Sequence, residues 1–412
     1  MPTALVTGAT GILGREIVSA LGKDTKQWSK VYALSRSQKI EWPSNVEHKH
    51  LDLQASAKDM AKELEGVKPE YIFFAAYLAQ DTEEDATKVN GAMLENFLDA
   101  LEITGASKTL KRVILTTGAK QYGVHLGNVK QPMEESDSWL TDSDRPPNFY
   151  YKQQNTLKEK AEKQGWDWVV TYPNDVIGVA KGNFMNLATT LGLYCAVTKE
   201  LGEDLMWPGS PDFYTKFDCF TYSRLHADFN LWAALQEGPE VSNQAFNVVN
   251  GDVESWQNMW PKLAKKFGLK VPESMFTKDE EQGKVDEKGA GSVMELMERP
   301  PLTEFASERG LKDTKYVKQS RVEAKIDMTK WSQRSDVKKA WETLADKLDL
   351  EKEAFEKATW GFLTFVFGRN YDIVISMNKA RKAGWTGHQD TWEALDRTLD
   401  ELVAEKVLPR FP

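Results

Sequence analysis

Short apolar segments alternate with longer amphipathic segments through the first 176 residues of the chain. The apolar segments lack a polar face, which is typical of parallel strands buried between two layers of helices. We predict such strands at residues 4–6, 31–34, 46–51, 71–76, 113–115 and 168–170. Helical periodicity falls between them, at residues 12–21, 85–103 and 151–164. This alternation predicts an α/β fold with a doubly wound parallel sheet.

The pattern changes in the second half of the chain, which is mostly helical and charged. Helices are predicted at residues 183–199 and 225–235, a returning strand at 245–249, and a loop at 277–290. No internal repeat and no low-complexity segment occurs. We therefore expect a smaller, mostly helical C-terminal lobe that packs over the carboxyl edge of the sheet and binds the substrate.

A glycine-rich turn directly follows the first predicted strand and opens a helix. Gly8, Gly11 and Gly14 are spaced G-x-x-G-x-x-G. Glycine permits unusual backbone dihedrals, and the missing side chains let a pyrophosphate reach the N–H groups at the helix N-terminus. This placement predicts a Rossmann-type dinucleotide site. We divide the chain accordingly into a nucleotide-binding core at residues 1–176, joined by the returning strand, and a substrate lobe at residues 177–244 and 250–412.

The end of the second strand indicates which dinucleotide binds. NAD enzymes usually carry an acid there for the ribose 2′-hydroxyl. This sequence has Leu34-Ser35-Arg36-Ser37, in which Arg36 can pair with a 2′-phosphate and Ser35 can hydrogen-bond to it. The pattern favours NADP(H).

Composition narrows the classes of partner and compartment. The 412 residues include 53 basic and 62 acidic side chains, a net charge of −9, which argues against nucleic acid as the main partner. No apolar run approaches the roughly 18 residues of a membrane span. Two cysteines exclude a disulfide framework and favour the cytoplasm, and five scattered histidines give no reason to expect a metal site. The 14 tryptophans suit both core packing and an aromatic-lined pocket for an apolar substrate.

The candidate catalytic residues depart from the usual pattern of short-chain dehydrogenases, Tyr-x-x-x-Lys on one helix. Residues 148–151 read Asn-Phe-Tyr-Tyr, and Gln154 and Asn155 stand where the lysine would follow. A different lysine, Lys120, lies just past the fifth strand in the segment Thr-Gly-Ala-Lys-Gln-Tyr. This edge of the sheet is where ligand sites of α/β folds form.

Together these two motifs resemble the progesterone 5β-reductase/iridoid synthase family of atypical extended short-chain dehydrogenases, whose signatures are T-G-x-K-x-Y and N-F-Y-Y. Weaker matches at Tyr172-Pro173-Asn174, at residues 245–253 and at Ser376-Met377-Asn378-Lys379 extend the resemblance over nearly the whole chain. The resemblance implies that Tyr151 is the catalytic tyrosine and that Lys120 replaces the missing helix lysine. It also implies cofactor contacts at Gly8, Thr10, Gly11, Ile12, Leu13, Gly14, Ser35, Arg36, Asp52, Leu53, Ala76, Tyr77, Thr116, Tyr151, Val176, Phe184 and Met185.

The implied reaction is NADPH-dependent 1,4-reduction of an enone or enal, in which Tyr151 and Lys120 stabilise the enolate oxygen. Tyr172, the pair Ala76-Tyr77 and residues 220–223 depart from the family pattern. Three alternatives therefore stay open: 1,2-reduction of a ketone, aldehyde or imine; a non-redox epimerase, dehydratase or cyclase with structural NADP; and an NADP(H) sensor, which would need neither catalytic group. We expect a small apolar carbonyl substrate from secondary metabolism, and a homodimer would fit the family.

Overall fold

Seven parallel strands form the central sheet of the protein, which we describe from a computed structural model. The structure describes residues 1–37, 40–180, 185–281 and 283–412. The strand order β3-β2-β1-β4-β5-β6-β9 has every neighbouring pair parallel. The strands of this sheet are β1 (Thr3–Thr7), β2 (Lys30–Ser35), β3 (Val46–His50), β4 (Tyr71–Phe74), β5 (Arg112–Thr116), β6 (Asp167–Tyr172) and β9 (Gln244–Asn247).

Two small ribbons lie outside this sheet. Strands β7 (Val176–Ile177) and β8 (Thr221–Tyr222) pair in parallel, and β10 (Ser292–Glu295) and β11 (Arg321–Ala324) form an antiparallel pair. The β7–β8 ribbon continues the chain beyond the end of β6, so it extends the carboxyl edge of the sheet toward the C-terminal half of the molecule.

Helices cover the sheet and build most of the C-terminal half. Those of the first half are α1 (Gly14–Lys23), α2 (Ala57–Glu63), α3 (Glu83–Ile103) and α4 (Phe149–Gln164). The later helices are α5 (Leu187–Glu200), α6 (Pro211–Thr215), α7 (Ser223–Leu235), α8 (Trp256–Phe267), α9 (Lys278–Glu281), α10 (Met328–Gln333), α11 (Ser335–Leu348), α12 (Glu353–Glu356), α13 (Trp360–Phe367), α14 (Asn378–Lys382) and α15 (Thr391–Ala404). Short 3₁₀ turns occur at Ala106–Thr109, Ala119–Tyr122, Pro301–Phe305 and Lys315–Val317.

The predicted doubly wound sheet with a mostly helical C-terminal region is confirmed. The helix starts differ from the prediction: α1 begins at Gly14 rather than 12, α7 at Ser223 rather than 225, and α5 at Leu187, whereas its predicted start at 183 lies outside the described residues. Caps explain two further differences. Helix α3 begins at Glu83 rather than 85, because the Thr82 hydroxyl accepts the backbone N–H of Asp85 and caps the helix. Helix α4 begins at Phe149 rather than 151, with Asn148 as its cap. The predicted loop at 277–290 contains the short helix α9, and the β10–β11 ribbon was not expected.

A continuous hydrophobic core joins the two halves of the chain. It includes Leu5 and Val6 of β1 together with Leu399 of α15 and Leu408. At the surface, Arg15 of α1 pairs with Glu405 at 2.9 Å, and Arg224 of α7 reaches Glu401 of α15. The last helix therefore packs back onto the first half of the chain, while the division at residue 176 stays a prediction.

Neither cysteine forms a disulfide, and both Cys195 and Cys219 are buried thiols. Among the helices of the described residues, none has the length and apolar character that crossing a membrane requires.

Candidate active site at the carboxyl edge of the sheet

The carboxyl ends of the parallel strands meet at one edge of the sheet, and the order of the strands reverses there between β1 and β4. Such a switch point opens a crevice that ligands occupy in α/β folds. Residues just past β1, β2, β3, β4, β5 and β6 therefore face a common region. Nearly all the cofactor positions predicted from the sequence belong to this set.

The glycine turn between β1 and α1 has no room for a side chain at Gly8 or Gly14. Gly8 has φ +66°, and a Cβ there would lie 2.6 Å from the Ala75 carbonyl oxygen, just past β4. A Cβ at Gly14 would lie 2.1 Å from the Gly8 carbonyl oxygen. The turn thus brings bare backbone to the N-terminus of α1, where Thr10, Gly11, Ile12 and Leu13 follow one another. This geometry fits the pyrophosphate of a dinucleotide.

The end of β2 places a positive charge near this turn. Arg36 is exposed and lies directly after Ser35, the last residue of β2. The Ser35 hydroxyl donates to the Ser37 carbonyl oxygen at 2.9 Å and lies 2.9 Å from Nε2 of His48 on β3. Ser35 is thereby fixed in position, and His48 joins the same corner. The sequence had placed His48 on a strand but had not linked it to this site.

The other predicted cofactor positions follow the remaining strands. Asp52 and Leu53 come just past β3, and Asp52 accepts the backbone N–H of Gln54 at 3.0 Å. Ala76 and Tyr77 come just past β4, and Thr116 ends β5. The remaining positions past β6 are Val176 in β7, Met185 with φ +62°, and Phe184, which lies outside the described residues.

Lys120 lies in the 3₁₀ turn just past β5, as predicted. Its ammonium contacts the Glu83 carboxylate at 2.5 Å and lies 5.3 Å from the centre of the Phe149 ring. Burial lowers the pKa of Lys120, while the contact with Glu83 opposes that shift. The Asn148 side chain ties this turn to α4, because its amide donates to the Lys120 carbonyl oxygen at 2.9 Å and its oxygen accepts the Tyr150 N–H at 3.0 Å.

Tyr151 is buried, and its hydroxyl is bound to backbone groups on both sides. Its hydroxyl donates to the Gln121 carbonyl oxygen at 2.8 Å and accepts the Leu140 N–H at 3.1 Å. Its ring stacks on Trp139 with centroids 4.7 Å apart. Burial raises the pKa of this phenol. These contacts give Tyr151 the environment of a core residue with a satisfied hydroxyl.

Tyr150 lies on the side of α4 that faces the edge. A Cβ at Gly118 would lie 3.1 Å from the Tyr150 hydroxyl oxygen and 3.2 Å from the Pro173 carbonyl oxygen, so the hydroxyl sits between the ends of β5 and β6. Burial, with contributions from Tyr77 and the charge of Glu83, raises the pKa of Tyr150. Tyr150 therefore lies beside the same ring, Phe149, as the Lys120 ammonium, whereas the Tyr151 hydroxyl is already bound to the Gln121 carbonyl oxygen.

Aromatic rings complete this corner. Tyr77 stacks on Phe149 with centroids 5.4 Å apart, and Phe149 also contacts Tyr150. Burial raises the pKa of Tyr77 to about 12. Two phenols, an ammonium and a carboxylate thus lie around an apolar ring, an arrangement suited to hydrogen bonding one polar atom of an otherwise apolar ligand. In the described part of the chain, no cluster of three or more histidine, cysteine or acidic side chains could hold a metal ion.

Comparison with known proteins places this site in a family. The sequence profile of the PRISE-like Rossmann-fold domain matches residues 4–285. The chain belongs to the PRISE-like family. An uncharacterized protein of Schizosaccharomyces pombe is 41% identical over 412 residues, with 99% of this chain and 98% of that protein covered.

Two further proteins show what the relatives of this PRISE-like chain are. The 3-oxo-Delta(4,5)-steroid 5-beta-reductase of Arabidopsis thaliana is 27% identical over 417 residues, covering 98% of this chain and 93% of that protein. The crystal structure of vestitone reductase from alfalfa (Medicago sativa L.) is similar with a TM-score of 0.54 and 15% identity, covering 99% of this chain and 100% of that one. The second likeness shows the fold alone.

Sequence reasoning on this PRISE-like chain missed Glu83, and a capping signal could have revealed it. Thr82 is followed three residues later by Asp85, the spacing of an N-terminal cap. Because the helix was predicted to begin two residues late, Glu83 was not assigned to the first turn of α3, which faces the site. Tyr150 was not singled out from the sequence for a different reason. The motif Asn-Phe-Tyr-Tyr alone does not indicate which of its two tyrosines lies, like Lys120, against the Phe149 ring.

Proposed function

We propose that this protein is an NADP(H)-dependent reductase that transfers a hydride to the β-carbon of an α,β-unsaturated carbonyl compound. The observation that carries the proposal is that Tyr150 and Lys120 both lie beside Phe149 at the carboxyl edge of the sheet, although the usual helix lysine is missing. Membership of the PRISE-like family and the relative named as a steroid 5-beta-reductase support it.

The choice of NADP(H) over NAD(H) rests on the end of β2. Arg36 is exposed beside the fixed Ser35, and the segment of residues 34–37 carries no acid that would repel a 2′-phosphate. A guanidinium can hold such a phosphate through two charge-assisted hydrogen bonds. His48 adds a ring nitrogen at the same corner.

When bound, the dihydronicotinamide supplies the hydride. Adding a hydride to the β-carbon of an enone moves the alkene electron pair toward the carbonyl oxygen, which becomes an enolate. Tyr150 donates a hydrogen bond to this oxygen, and the Lys120 ammonium stabilises the same negative charge. Because the pKa of Tyr150 is raised by burial, the phenol keeps its proton at neutral pH and can act as this donor.

We assign the hydroxyl to Tyr150 rather than to Tyr151, the residue expected from the sequence. Tyr151 already donates to the Gln121 carbonyl oxygen inside the protein, and its ring is held by Trp139. An enolate oxygen could reach it only after both contacts were broken. The exposed ring of Tyr77, which stacks on the buried Phe149, supports a small apolar carbonyl substrate. We place the protein in the cytoplasm and in secondary metabolism on the sequence grounds given above.

Replacement of each tyrosine by phenylalanine tests the assignment. We expect Tyr150→Phe to lower kcat for enone reduction by about a hundredfold, the usual effect of removing one donor to an oxyanion. Tyr151→Phe should change kcat by less than about tenfold and instead cost about 1–2 kcal/mol of stability, because two buried backbone contacts lose their partner. The measurements are NADPH oxidation at 340 nm (roughly the absorbance maximum of the reduced ring) and urea denaturation.

The assignment would be refuted if Tyr151→Phe stayed folded and lost turnover while Tyr150→Phe kept it. Product analysis of the same reactions separates reduction of the alkene from reduction of the carbonyl. A saturated ketone supports the proposal, and an allylic alcohol would instead show that the hydride goes to the carbonyl carbon.

A further inference from the structure

Glu83 is a charged residue of the site to which the proposed reaction assigns no role. It is the first residue of α3, and the Thr82 cap fixes the start of that helix. Both of its carboxylate oxygens contact the Lys120 ammonium. Its neighbour Glu84 is exposed and faces away. The first turn of α3 therefore delivers one carboxylate to the catalytic lysine.

The environment of Lys120 makes this contact important for its charge. The side chain is only 21% exposed and rests against the Phe149 ring. Burial lowers the pKa of Lys120, and Glu83 is the acid that counteracts this. On another side, burial and the charge of Lys120 hold the pKa of His125 well below its usual range, so this imidazole stays neutral. Glu83 is thus the group that compensates the ammonium charge.

The same carboxylate acts on the phenols across the site. Its negative charge adds to burial in raising the pKa values of Tyr77 and Tyr150. A lysine beside a tyrosine ordinarily favours the phenolate, the form that removes a proton from an alcohol. Here the Lys120 ammonium is paired with the Glu83 carboxylate. Its effect on the pKa of the Tyr150 phenol is therefore largely cancelled.

We propose that Glu83 is a positioning residue that holds the Lys120 ammonium beside the reacting carbonyl and keeps Tyr150 a hydrogen-bond donor rather than a base. The inference rests on the proposed reductase function and deepens it. Oxidation of an alcohol needs a base to take the hydroxyl proton while hydride leaves carbon. Reduction of an enone needs only a donor to the oxygen, with the α-carbon later taking a proton from water. The Glu83–Lys120 pair therefore suits alkene reduction and disfavours alcohol oxidation.

The direct test measures the Lys120 ammonium in the full-length protein without cofactor. Lysines are labelled by reductive ¹³C-methylation, the Lys120 signal is assigned with Lys120→Arg, and each signal is titrated by NMR. We expect Glu83→Gln to lower the titration midpoint of Lys120 by about one pH unit, the scale of losing one close opposite charge. Glu84→Gln is the matched control and should leave the midpoint unchanged. Equal midpoints in the wild type and Glu83→Gln would overturn the proposal.

A kinetic arm asks whether the pair matters for the reaction. In Glu83→Gln, the alkaline limb of the pH profile for enone reduction should move to lower pH by about one unit. At pH values above that limb, kcat should fall about tenfold. The KM for NADPH should stay nearly unchanged. Glu83→Asp should restore most of both. A purely structural role would instead lower the amount of folded enzyme without moving the limb, and that result would contradict the proposal.

The two arms separate this inference from the proposed function. If the wild type reduced no enone, the reductase proposal would fail, while the NMR titration would still decide whether Glu83 sets the charge of Lys120. If the wild type reduced enones and both Glu83→Gln measurements matched the wild type, only the role of Glu83 would be wrong.

Discussion

At the scale of single residues, adjacent tyrosines occupy opposite environments at the start of α4. Successive residues of a helix point about 100° apart, so the two side chains meet different neighbours. Tyr151 stacks on Trp139 inside the protein, whereas the Tyr150 hydroxyl lies against Gly118. Asn148 fixes the orientation of this first turn. Its side-chain oxygen caps α4, and its amide donates to the Lys120 carbonyl oxygen.

Arg36 carries the prediction of cofactor preference. Removal of its guanidinium should weaken the binding of NADPH but not that of NADH, because NADH has no 2′-phosphate for the guanidinium to pair with. We expect Arg36→Ala to lower the ratio of kcat/KM for NADPH to that for NADH by about ten- to a hundredfold, the range of a lost charge-assisted hydrogen bond. Steady-state kinetics with both cofactors measures this ratio. Arg309→Ala, an exposed arginine of the C-terminal half, is the control. Equal losses with both cofactors would show that Arg36 does not recognise the phosphate.

Single residues were predicted from the sequence where strand order alone positions them. Gly8, Arg36 and Lys120 follow predicted strands, and the ends of parallel strands share one edge. Glu83 and Tyr150 depend instead on where a helix begins and on which of its faces packs inward. These details come from contacts between segments distant in the chain, such as Glu83 with Lys120, so local pattern could not supply them.

At the scale of elements, a buried charge cluster fastens the turn after β6 to the C-terminal half. Arg369, just past α13, pairs with Asp175 at 2.5 Å and lies 3.7 Å from Asp218. Asp218 also accepts the Asn174 side-chain amide at 3.1 Å. Burial, and then the charge of Asp175, raises the pKa of Asp218 well above its usual range. One guanidinium thus faces two buried carboxyls, and burial favours the protonated form of Asp218.

This cluster predicts a pH dependence of stability. Because the folded state keeps the Asp218 proton, the unfolded state alone loses it as pH rises above about 4, and wild-type stability falls from there toward the raised folded pKa. Asp218→Asn, which resembles the protonated acid, should remove that decline, so its free energy of unfolding should gain on the wild type from about pH 5 to about pH 8. Urea denaturation across this range measures the difference.

Asp175→Asn is the matched comparison for this pair of carboxyls. It removes the carboxyl that pairs with the buried Arg369 guanidinium at 2.5 Å and should cost about 3–5 kcal/mol at neutral pH. Parallel stability curves for the wild type and Asp218→Asn would contradict the assigned protonation state.

At the scale of the whole molecule, the period of the hydrophobic positions predicts the elements of the N-terminal half but not those of the C-terminal half. Buried strands and amphipathic helices have distinct periods, which is why the sheet could be predicted. The β10–β11 ribbon pairs Ser292 with Ala324 across a charged intervening segment, and no local signal marks such a pairing. The core then joins both halves through α15.

The position of the transferred hydride in the product tests the proposed alkene reduction most directly. Progesterone or a small enone is incubated with NADPH deuterated at C4 of the dihydronicotinamide, and NMR of the product locates the deuterium. We expect deuterium on the β-carbon of a saturated ketone, with the carbonyl group intact. Deuterium on the carbinol carbon of an allylic alcohol, or no transfer to carbon at all, would contradict it.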